Sequence, residues 1–378
     1  MAQAADRVDV IVIGAGMAGA SVAAELARSA RVALLERESA PGYHTTGRSA
    51  ALFTTAYGPP AIRALSRASH DFFRGRGPEA PQEALIRPRG ALFVARADQL
   101  GAAAALEAEL GGAVVPVDPA VATARVPLLR EGYVAAALED RAAADIEVHG
   151  LHQHYLRALT ARGGTIRLKA EVTGLERSGG DWIVETGAER LCAGIVVNAA
   201  GAWADVLARQ AGVRPLGLRP LRRTALLVAP PEGVATADWP MVVDVEERFY
   251  LKPDAGNLLI SPADETPSDP CDAQPDEMDV AICVDRIQSA FDLPVRRIAH
   301  KWAGLRSFLP DGVPAVGFDA EAEGFFWLAG QGGYGIQTAP AMARAAAALI
   351  EGHALPEDVA AEGVTADGLS PGRFADRA

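Results

Sequence analysis

The sequence predicts an α/β fold in which a discontinuous Rossmann-like domain carries an inserted, β-rich α+β domain. Three observations support this prediction. A strand, a glycine-rich turn, a helix and a second strand follow one another between residues 8 and 36. Two more turns in which glycines follow an apolar strand occur near residues 198 and 330. Short apolar runs separated by Pro, Gly and Asp lie between residues 215 and 300, which is typical of a second sheet.

The chain is long enough for two structural units. Its 378 residues exceed the ~100–200 residues of an ordinary single domain. Segments that contain strand-to-glycine turns alternate along the sequence with segments that lack them. This alternation predicts that the chain leaves the first domain and returns to it. We therefore assign residues 1–58, 142–214 and 300–363 to the Rossmann-like domain, residues 59–141 and 215–299 to the inserted domain, and residues 364–378 to a peripheral tail.

The first unit begins with a β-branched strand, Val8–Ile13, and continues through a helical segment, Ala20–Ser29, to a second strand, Val32–Leu35. Between strand and helix stands the motif G-x-G-x-x-G. Its first glycine permits a tight turn, its second lets a pyrophosphate approach, and its third lets helix and strand pack closely. An acid at the end of the second strand suits a ribose diol. The sequence thus predicts a dinucleotide site at Gly14, Gly16, Gly19 and Glu36 and leaves NAD and FAD open at this point.

The remaining elements are predicted from apolar periodicity and from turn residues. The predicted strands are Ala91–Val94, Thr165–Leu168, Trp182–Thr186, Ile195–Val197, Leu226–Val228, Phe249–Leu251 and Leu258–Ile260, and the predicted helices are Ile146–Arg162 and Ala341–Glu351.

Charge and cysteine usage restrict the function. A formal net charge of −12 argues against a nucleic-acid partner, because no basic stripe could neutralise phosphates. Cys192, Cys271 and Cys283 are widely spaced, without a C-x-x-C pair. We therefore expect reduced thiols in a cytoplasmic protein, with peripheral attachment at the inner membrane as the alternative.

Two further features are interpreted as structural. His149, His152 and His154 share a predicted helix, but the last two point to different faces, so no metal site is expected. The uncharged stretch Gly324–Ala343 has the length of a membrane span, yet it contains five glycines, two glutamines and a proline. We interpret it as a glycine-rich loop followed by the start of a helix, and we expect no transmembrane span.

Three later segments favour FAD over NAD. His44–Ala51 follows the second strand with small residues and hydroxyls that could approach a flavin. Val197–Trp203 is a second strand-to-glycine turn. Gly330–Gln337 is a third, and it opens the last helix with backbone N–H groups available to a flavin ring. A nicotinamide enzyme does not need a glycine-rich turn so far along the chain.

These segments resemble the D-amino acid oxidase superfamily, and within it the FAD-dependent D-amino acid dehydrogenases of the D-arginine type. The likeness covers most of the chain through PGYHTTGRSA, NAAGAWAD, GVRPLGLRP, FYLKPDAG, WAGLRSF and GFFWLAGQGGYGIQT. No cysteine lies in WAGLRSF, which favours non-covalent FAD. The resemblance implies cofactor contacts from Gly14, Gly16, Met17, Ala18, Gly19, Glu36, Arg37, Thr46, Arg48, Ser49, Ala50, Ala51, Val172, Ala200, Gly201, Trp203, Gly304, Arg306, Gly332, Gly333, Tyr334, Gly335, Ile336 and Gln337.

The resemblance also implies a substrate site. Arg223 and Arg306 would bind the carboxylate, because a guanidinium group fixes both charge and orientation. Strand alternation puts Arg222 on the opposite face from Arg223, so only one of the two should reach the site. Tyr57 would close over the substrate and the Tyr250 hydroxyl would bond its carboxylate. Near the substrate amine, the resemblance implies a backbone carbonyl and a side-chain amide, from Gly333 and Gln337.

The substrate side chain is expected to be neutral or apolar. An enzyme for D-arginine needs an acid to pair with the substrate guanidinium, since an unpaired buried cation is costly. The segment Arg87–Val94 offers none, and Ala91 stands where the acid would be expected. Leu52 and Phe53 leave the neighbouring loop apolar.

The resemblance therefore implies FAD-dependent oxidative deamination of D-amino acids to 2-oxo acids and ammonia. Its partners would be a small amino acid and an electron acceptor: a quinone, another carrier or oxygen. The preference for the D form rests on the resemblance alone. Two alternatives are an amine oxidase of the glycine or sarcosine type and a flavin-bearing subunit of a redox complex.

Overall fold

The structure is a computed structural model in which residues 6–77 and 79–374 are described. The outer ends of the predicted first domain and tail, residues 1–5 and 375–378, lie outside the described residues. In chain order the strands are β1 Asp6–Arg7, β2 Val10–Ile13, β3 Val32–Leu35, β4 Leu52–Phe53, β5 Ile86–Pro88, β6 Ala91–Ala95, β7 Val115–Val117, β8 Ala136–Asp140, β9 Ala144–Ile146, β10 Thr165–Arg167, β11 Val172–Ser178, β12 Asp181–Thr186, β13 Arg190–Ala193, β14 Ile195–Asn198, β15 Arg219–Val228, β16 Met241–Asp244, β17 Tyr250–Asp254, β18 Asn257–Ser261, β19 Thr266–Pro267, β20 Ile298–Phe308, β21 Ala315–Phe318 and β22 Phe325–Ala329.

The helices flank the sheets. In chain order they are α1 Met17–Leu26, α2 Pro60–Phe73, α3 Leu100–Leu110, α4 Pro119–Arg125, α5 Val148–Ala161, α6 Ala204–Gln210, α7 Glu277–Ala290, α8 Ala339–Ile350, α9 Glu357–Ala361 and α10 Ala366–Leu369. Short 3₁₀ turns are formed by Thr45–Arg48, Ala97–Gln99, Gly111–Ala113, Gly201–Trp203 and Pro371–Phe374.

The first sheet has the predicted Rossmann-like organisation. Its strand order is β10-β3-β2-β14-β22-β21, parallel throughout except for β21. Every residue of β2 and β3 is buried, as expected for parallel strands covered on both faces. One face packs against α1, α5 and α8, and the other packs against α6 and a small sheet of order β1-β13-β12-β11. The strand-turn-helix-strand prediction is therefore confirmed.

The first glycine turn is forced by close backbone packing. Gly14 has φ +104°, and a Cβ there would lie 2.5 Å from the carbonyl oxygen of Ala199 in the turn after β14. A Cβ on Gly19 would lie 1.8 Å from the carbonyl oxygen of Gly14. No larger residue fits at either position without moving the backbone. These contacts bring the first and second glycine turns side by side.

The second sheet is built from the inserted segments. It runs in the order β19-β15-β18-β17-β16-β6-β8-β7, and β20 pairs along β15. One face is covered by α4 and α7 around Leu226, Leu251 and Ile260. The opposite face carries Ala225 and Tyr250 and packs against the loop that contains Ala56. This second face looks toward the first domain.

The packing differs from the predicted domain division at three places. Helix α2 packs against α8 in the core of the first domain, and β20 is a strand of the second sheet. The described part of the predicted tail is packed rather than peripheral, because Leu369 and Phe374 are buried. The predicted helix at 146 begins two residues later, since Ile146 ends β9. The division itself remains a prediction, and we would move residues 60–73 into the first domain.

Within residues 6–77 and 79–374, no helix combines the length and the apolar composition that a membrane crossing requires. The uncharged stretch 324–343 forms β22, a glycine-rich turn and the beginning of α8, as predicted.

Candidate active site

A long cleft, partly open to solvent, runs between the first sheet and the inward face of the second. All three glycine turns reach its wall. The predicted site residues that line it are Gly14, Gly16, Met17, Ala18, Glu36, Arg37, Thr46, Arg48, Ser49, Ala50, Val172, Ala200, Gly201, Trp203, Arg223, Tyr250, Gly304, Arg306, Gly332, Gly333, Gly335 and Ile336. The cleft is thus continuous from the dinucleotide turn to the candidate substrate residues.

At one end of the cleft a carboxylate is held in a fixed orientation. The Glu36 carboxylate accepts hydrogen bonds from the backbone N–H groups of Ala15 and Glu38, both at 2.9 Å. Beside it, the N–H of Met17 at the start of α1 donates to Thr46 Oγ1 at 2.9 Å. A helix N-terminus with an adjacent oriented acid suits a pyrophosphate and a ribose diol. This end fits the adenosine half of FAD.

His152 supports the same turn from behind. Its Nε2 lies 3.0 Å from the carbonyl oxygen of Ala15, and the ring packs against Gly42. Burial lowers the pKa of His152, which favours a neutral ring that donates its Nε2 hydrogen. No metal-binding cluster of His, Cys, Asp or Glu occurs in the described part of the chain. This contact between His152 and the turn is not predicted from the sequence.

The third glycine turn rests on strand β20 at the other end of the cleft. The N–H of Gly332 donates to the carbonyl of Ser307 at 2.9 Å, and Gly332 has φ +53°. A Cβ on Gly332 would lie 2.3 Å from the Phe308 ring, and a Cβ on Gly333 would lie 3.0 Å from Arg306 Nη1. The backbone conformation and the Phe308 ring therefore favour glycine at Gly332, whereas a side chain at Gly333 would press against the Arg306 guanidinium. The exposed backbone of the turn and the end of β20 form the wall that would face a flavin ring.

The two candidate arginines lie on one face of the second sheet. Arg223 in β15 is opposite Gly304 in β20, and Arg306 is opposite Leu221, so the two guanidinium groups are diagonal neighbours. Arg222 points to the other face, where it bonds Asp279 of α7 at 2.8 Å. The predicted alternation is confirmed, and Arg223 is the one that lines the cleft.

The candidate tyrosines, Tyr57 and Tyr250, lie near Arg306. Tyr250 of β17 is buried and lines the cleft. The Tyr57 hydroxyl lies 3.4 Å from Arg306 Nη1, outside the cleft lining, and its ring meets Tyr334 edge-on with centroids 5.0 Å apart. Burial raises the pKa of Tyr57, and the Arg306 charge opposes that shift. The hydroxyl consequently stays protonated at neutral pH.

The structure does not bring every predicted residue to the cleft. Gln337 is buried, and its side-chain amide accepts from the N–H of Thr54 at 3.3 Å and donates to Ser66 Oγ at 2.9 Å. The side chain therefore does not line the cleft, and its predicted role beside the substrate amine remains a prediction. Four further predicted residues also lie outside the cleft lining: Gly19, Ala51, Tyr57 and Tyr334.

Several cleft residues were missed. Thr45 and Gln331 flank the motif residues and line the wall, as does Ser307. Ser307 is buried, and its hydroxyl has no hydrogen-bond partner within the described residues. Its position directly after Arg306 in WAGLRSF could have been used to identify it. Arg48 lines the cleft, but its Nη1 donates to the carbonyls of Ala273 and Ala303 at 3.0 and 2.9 Å.

The dinucleotide-binding turn opens into a pocket that is lined by arginines and covered by the second sheet. This arrangement is typical of a flavin-dependent oxidoreductase. The sequence matches the family model DAO, FAD dependent oxidoreductase, over residues 9–349. The chain belongs to this family, and FAD is its cofactor. Gly14, Gly16 and Glu36 would hold the adenosine half, and the Gly330–Gln337 turn with the end of β20 would hold the flavin half.

Three of the similar proteins match over most of the chain. The chain is 30% identical to the glycine oxidase of Pseudomonas aeruginosa over 367 residues, which cover 91% of this chain and 94% of that protein. It is 26% identical to FAD-dependent oxidoreductase domain-containing protein 1 of Bos taurus, with 92% and 82% covered. The crystal structure of glycine oxidase from Geobacillus kaustophilus superposes with a TM-score of 0.78 at 24% identity, with 92% and 95% covered.

Proposed function

We propose that the protein oxidises D-amino acids with neutral or apolar side chains at the Cα–N bond. The amine loses two electrons and two hydrogens to become an imine, which water converts to a 2-oxo acid and ammonia. The observation that carries this proposal is the pair Arg223 and Arg306, which lie on one sheet face together with Tyr250. All three line the cleft that would hold FAD, at the end expected to face the flavin. Two guanidinium groups beside a phenol are suited to a carboxylate.

The side chains supply position and charge. Arg306 would pair with the substrate carboxylate, and Arg223 and the Tyr250 hydroxyl would donate further hydrogen bonds to it. Bound FAD supplies a two-electron acceptor. Among the described residues that line the cleft, the acids are Glu36 and Glu171, both at the adenosine end. Substrate deprotonation is therefore left to solvent.

The preference for apolar side chains is supported by the sheet face around Tyr250. Ala91, Met241 and Leu138 are buried beside Tyr250 on this face, outside the cleft lining, and Leu52 of β4 packs against them. Ala91 is 1% exposed, so the position expected to carry a guanidinium-binding acid is an enclosed methyl group. A cationic side chain at this face would lose its hydration without gaining a partner.

The second candidate is oxidation of glycine or a small secondary amine such as sarcosine. It is favoured by the 30% identity to a protein named glycine oxidase over nearly its full length. Such a substrate uses the same carboxylate contacts and needs little space beyond Cα. The two candidates therefore differ in side chain and amine substitution rather than in the arginine contacts.

A substrate panel under anaerobic conditions separates them. The FAD-loaded protein is mixed with D- and L-amino acids, glycine and sarcosine, and loss of flavin absorbance is recorded. Fast bleaching by D-alanine, D-leucine or D-methionine, with little by the L forms, supports the proposal. Preferential bleaching by glycine or sarcosine supports the second candidate. Reoxidation with oxygen or a quinone then identifies the electron acceptor. If no amine bleaches the flavin, both candidate functions are wrong.

A further inference from the structure

One cleft arginine is already charge-compensated by an acid of this chain. Arg223 is 7% exposed, and its Nη2 bonds Glu265 Oε1 at 2.9 Å. The Glu265 side chain is 53% exposed, so this ion pair joins a buried cation to an acid at the edge of the solvent. Arg223 Nε is buried and has no partner within the described residues.

The other arginine is in the opposite situation. Among the described residues, no acid lies within ion-pair distance of Arg306, whose polar contact is the Tyr57 hydroxyl at 3.4 Å. Glu247, exposed on the turn between β16 and β17, reaches that hydroxyl at 3.5 Å rather than either guanidinium. The substrate end of the cleft thus presents two guanidinium groups, of which one is neutralised by direct pairing.

We propose that Glu265 is a specificity-determining residue that restricts the site to substrates with a single carboxylate. The inference rests on the proposed function. With Glu265 in place, Arg306 provides the charge for the substrate carboxylate, and Arg223 adds hydrogen bonds without adding net charge. A substrate with a second carboxylate meets no second free cation and is repelled by Glu265 itself. Like-charge contacts of this kind are a common basis of selectivity.

Removing the Glu265 charge should reverse this preference. In Glu265→Gln the buried Arg223 loses its counter-ion, and an uncompensated buried cation favours any anion that reaches it. A dicarboxylate that spans both guanidinium groups then gains a partner, whereas a monocarboxylate gains little. The pair Arg63 and Glu109 offers a matched control, because it also joins a mostly buried arginine to a half-exposed glutamate, at 2.7 Å, and Arg63, unlike Arg223, does not line the cleft.

The test uses FAD-loaded protein and two probes that are not oxidised, acetate and malonate. Their dissociation constants are read from the perturbation of flavin absorbance for wild type, Glu265→Gln, Glu265→Asp and Glu109→Gln. We expect the preference for malonate over acetate to rise about tenfold in Glu265→Gln alone. The ratio of kcat/KM for D-aspartate over D-alanine should rise in parallel.

The inference and the proposed function fail separately. An unchanged malonate preference in Glu265→Gln, with wild-type melting temperature and flavin content, overturns the role of Glu265. An equal rise in Glu265→Asp or Glu109→Gln would also overturn it, because neither change removes the proposed charge. If no amino acid bleaches the wild-type flavin, the proposed function is lost, and the probe titrations still report whether Glu265 controls anion binding.

Discussion

Arg306 lies in the wall of the cleft and has no acidic partner among the described residues. Its guanidinium lies beside Gly333 of the third glycine turn and 3.4 Å from the Tyr57 hydroxyl. A cation so placed gains most when a carboxylate binds, and its loss should therefore affect substrate binding more than folding.

Replacing this arginine tests its role directly. We expect Arg306→Ala to lower kcat/KM for the best substrate of the panel by about 30- to 5000-fold, or ~2–5 kcal/mol, the range for losing one partner of a buried charge pair. Steady-state kinetics with FAD-loaded enzyme provide the measurement. Arg222→Ala is the control, since Arg222 bonds Asp279 on the far face. A loss under threefold in Arg306→Ala would remove this residue from the site.

Some of these residues could be assigned from sequence and others could not. Strand alternation separates Arg222 from Arg223, because a strand has a fixed period of two. Nothing local reveals that Gln337 bonds Thr54 or that Glu265 bonds Arg223, since each contact joins residues 42 to 283 positions apart. Such pairings depend on how the elements pack, which short patterns do not encode.

At the scale of elements, a buried polar network joins the two sheets. Gln337 at the turn before α8 bonds Ser66 of α2 and the N–H of Thr54. Thr54 Oγ1 in turn donates to Asp140 at the end of β8, whose carboxylate also accepts from two backbone N–H groups. The chain of contacts thus runs from two helices of the first core to a strand of the second sheet.

Breaking this network should affect stability rather than substrate binding. We expect Gln337→Ala to lower the free energy of unfolding by about 1–3 kcal/mol, because the Thr54 N–H loses its acceptor and the buried Ser66 Oγ loses one of two partners. The KM should change less than twofold. Urea unfolding and steady-state kinetics give the two quantities, with Gln288→Ala on the exposed side of α7 as control. A large KM effect with normal stability would instead restore Gln337 to the substrate site.

The same network predicts a pH effect. Burial raises the pKa of Asp140, although the bonds from Thr54 and two backbone N–H groups oppose the shift. The folded state consequently holds this proton more tightly than the unfolded state. The resulting stabilisation is fully present below the unfolded pKa and is lost as pH rises through the folded value.

Wild type should therefore gain stability relative to Asp140→Asn as the pH falls from neutral toward the ordinary pKa of an aspartic acid. The measurement is the difference between the two melting temperatures across that range, with FAD at constant excess. A difference that stays constant, or that moves in favour of the variant in acid, would contradict the assignment.

Element types were predictable where the signal is local. The β2-α1-β3 unit follows from one apolar run, one glycine motif and one acid within 30 residues. The pairing of β20 with β15 was missed, because the two strands are separated by 69 residues and the apolar pattern of a strand does not indicate which strand it pairs with. The packed segment 364–374 was missed because its buried residues are few and widely spaced.

At the scale of the molecule, a single ligand would connect segments that are distant in sequence. The cleft is lined by the first turn at Gly14, the second at Ala200 and the third at Gly332. A ligand that touches all three should stabilise the entire first domain, because it binds only when these turns are assembled.

FAD and FMN should differ in this respect. We expect FAD at a hundredfold excess over its Kd to add about 2.7 kcal/mol of stability to the flavin-free protein. FMN lacks the adenosine half that Glu36 and the first turn would bind, so at equal concentration it should give less than half of the FAD shift. Thermal unfolding followed by circular dichroism gives both values. Equal shifts would mean that the first turn is not part of the cofactor site.

The order of the first sheet has a consequence for biosynthesis. β22 pairs in parallel with β14, and the turn that follows it completes the flavin end of the cleft. On a ribosome, residues 325–336 emerge after nearly all of the other cleft residues, so a nascent chain that already carries the first turn still has only part of the pocket. The cleft is therefore completed only when this strand is made, and a cofactor bound before then would lack the contacts expected from the third glycine turn.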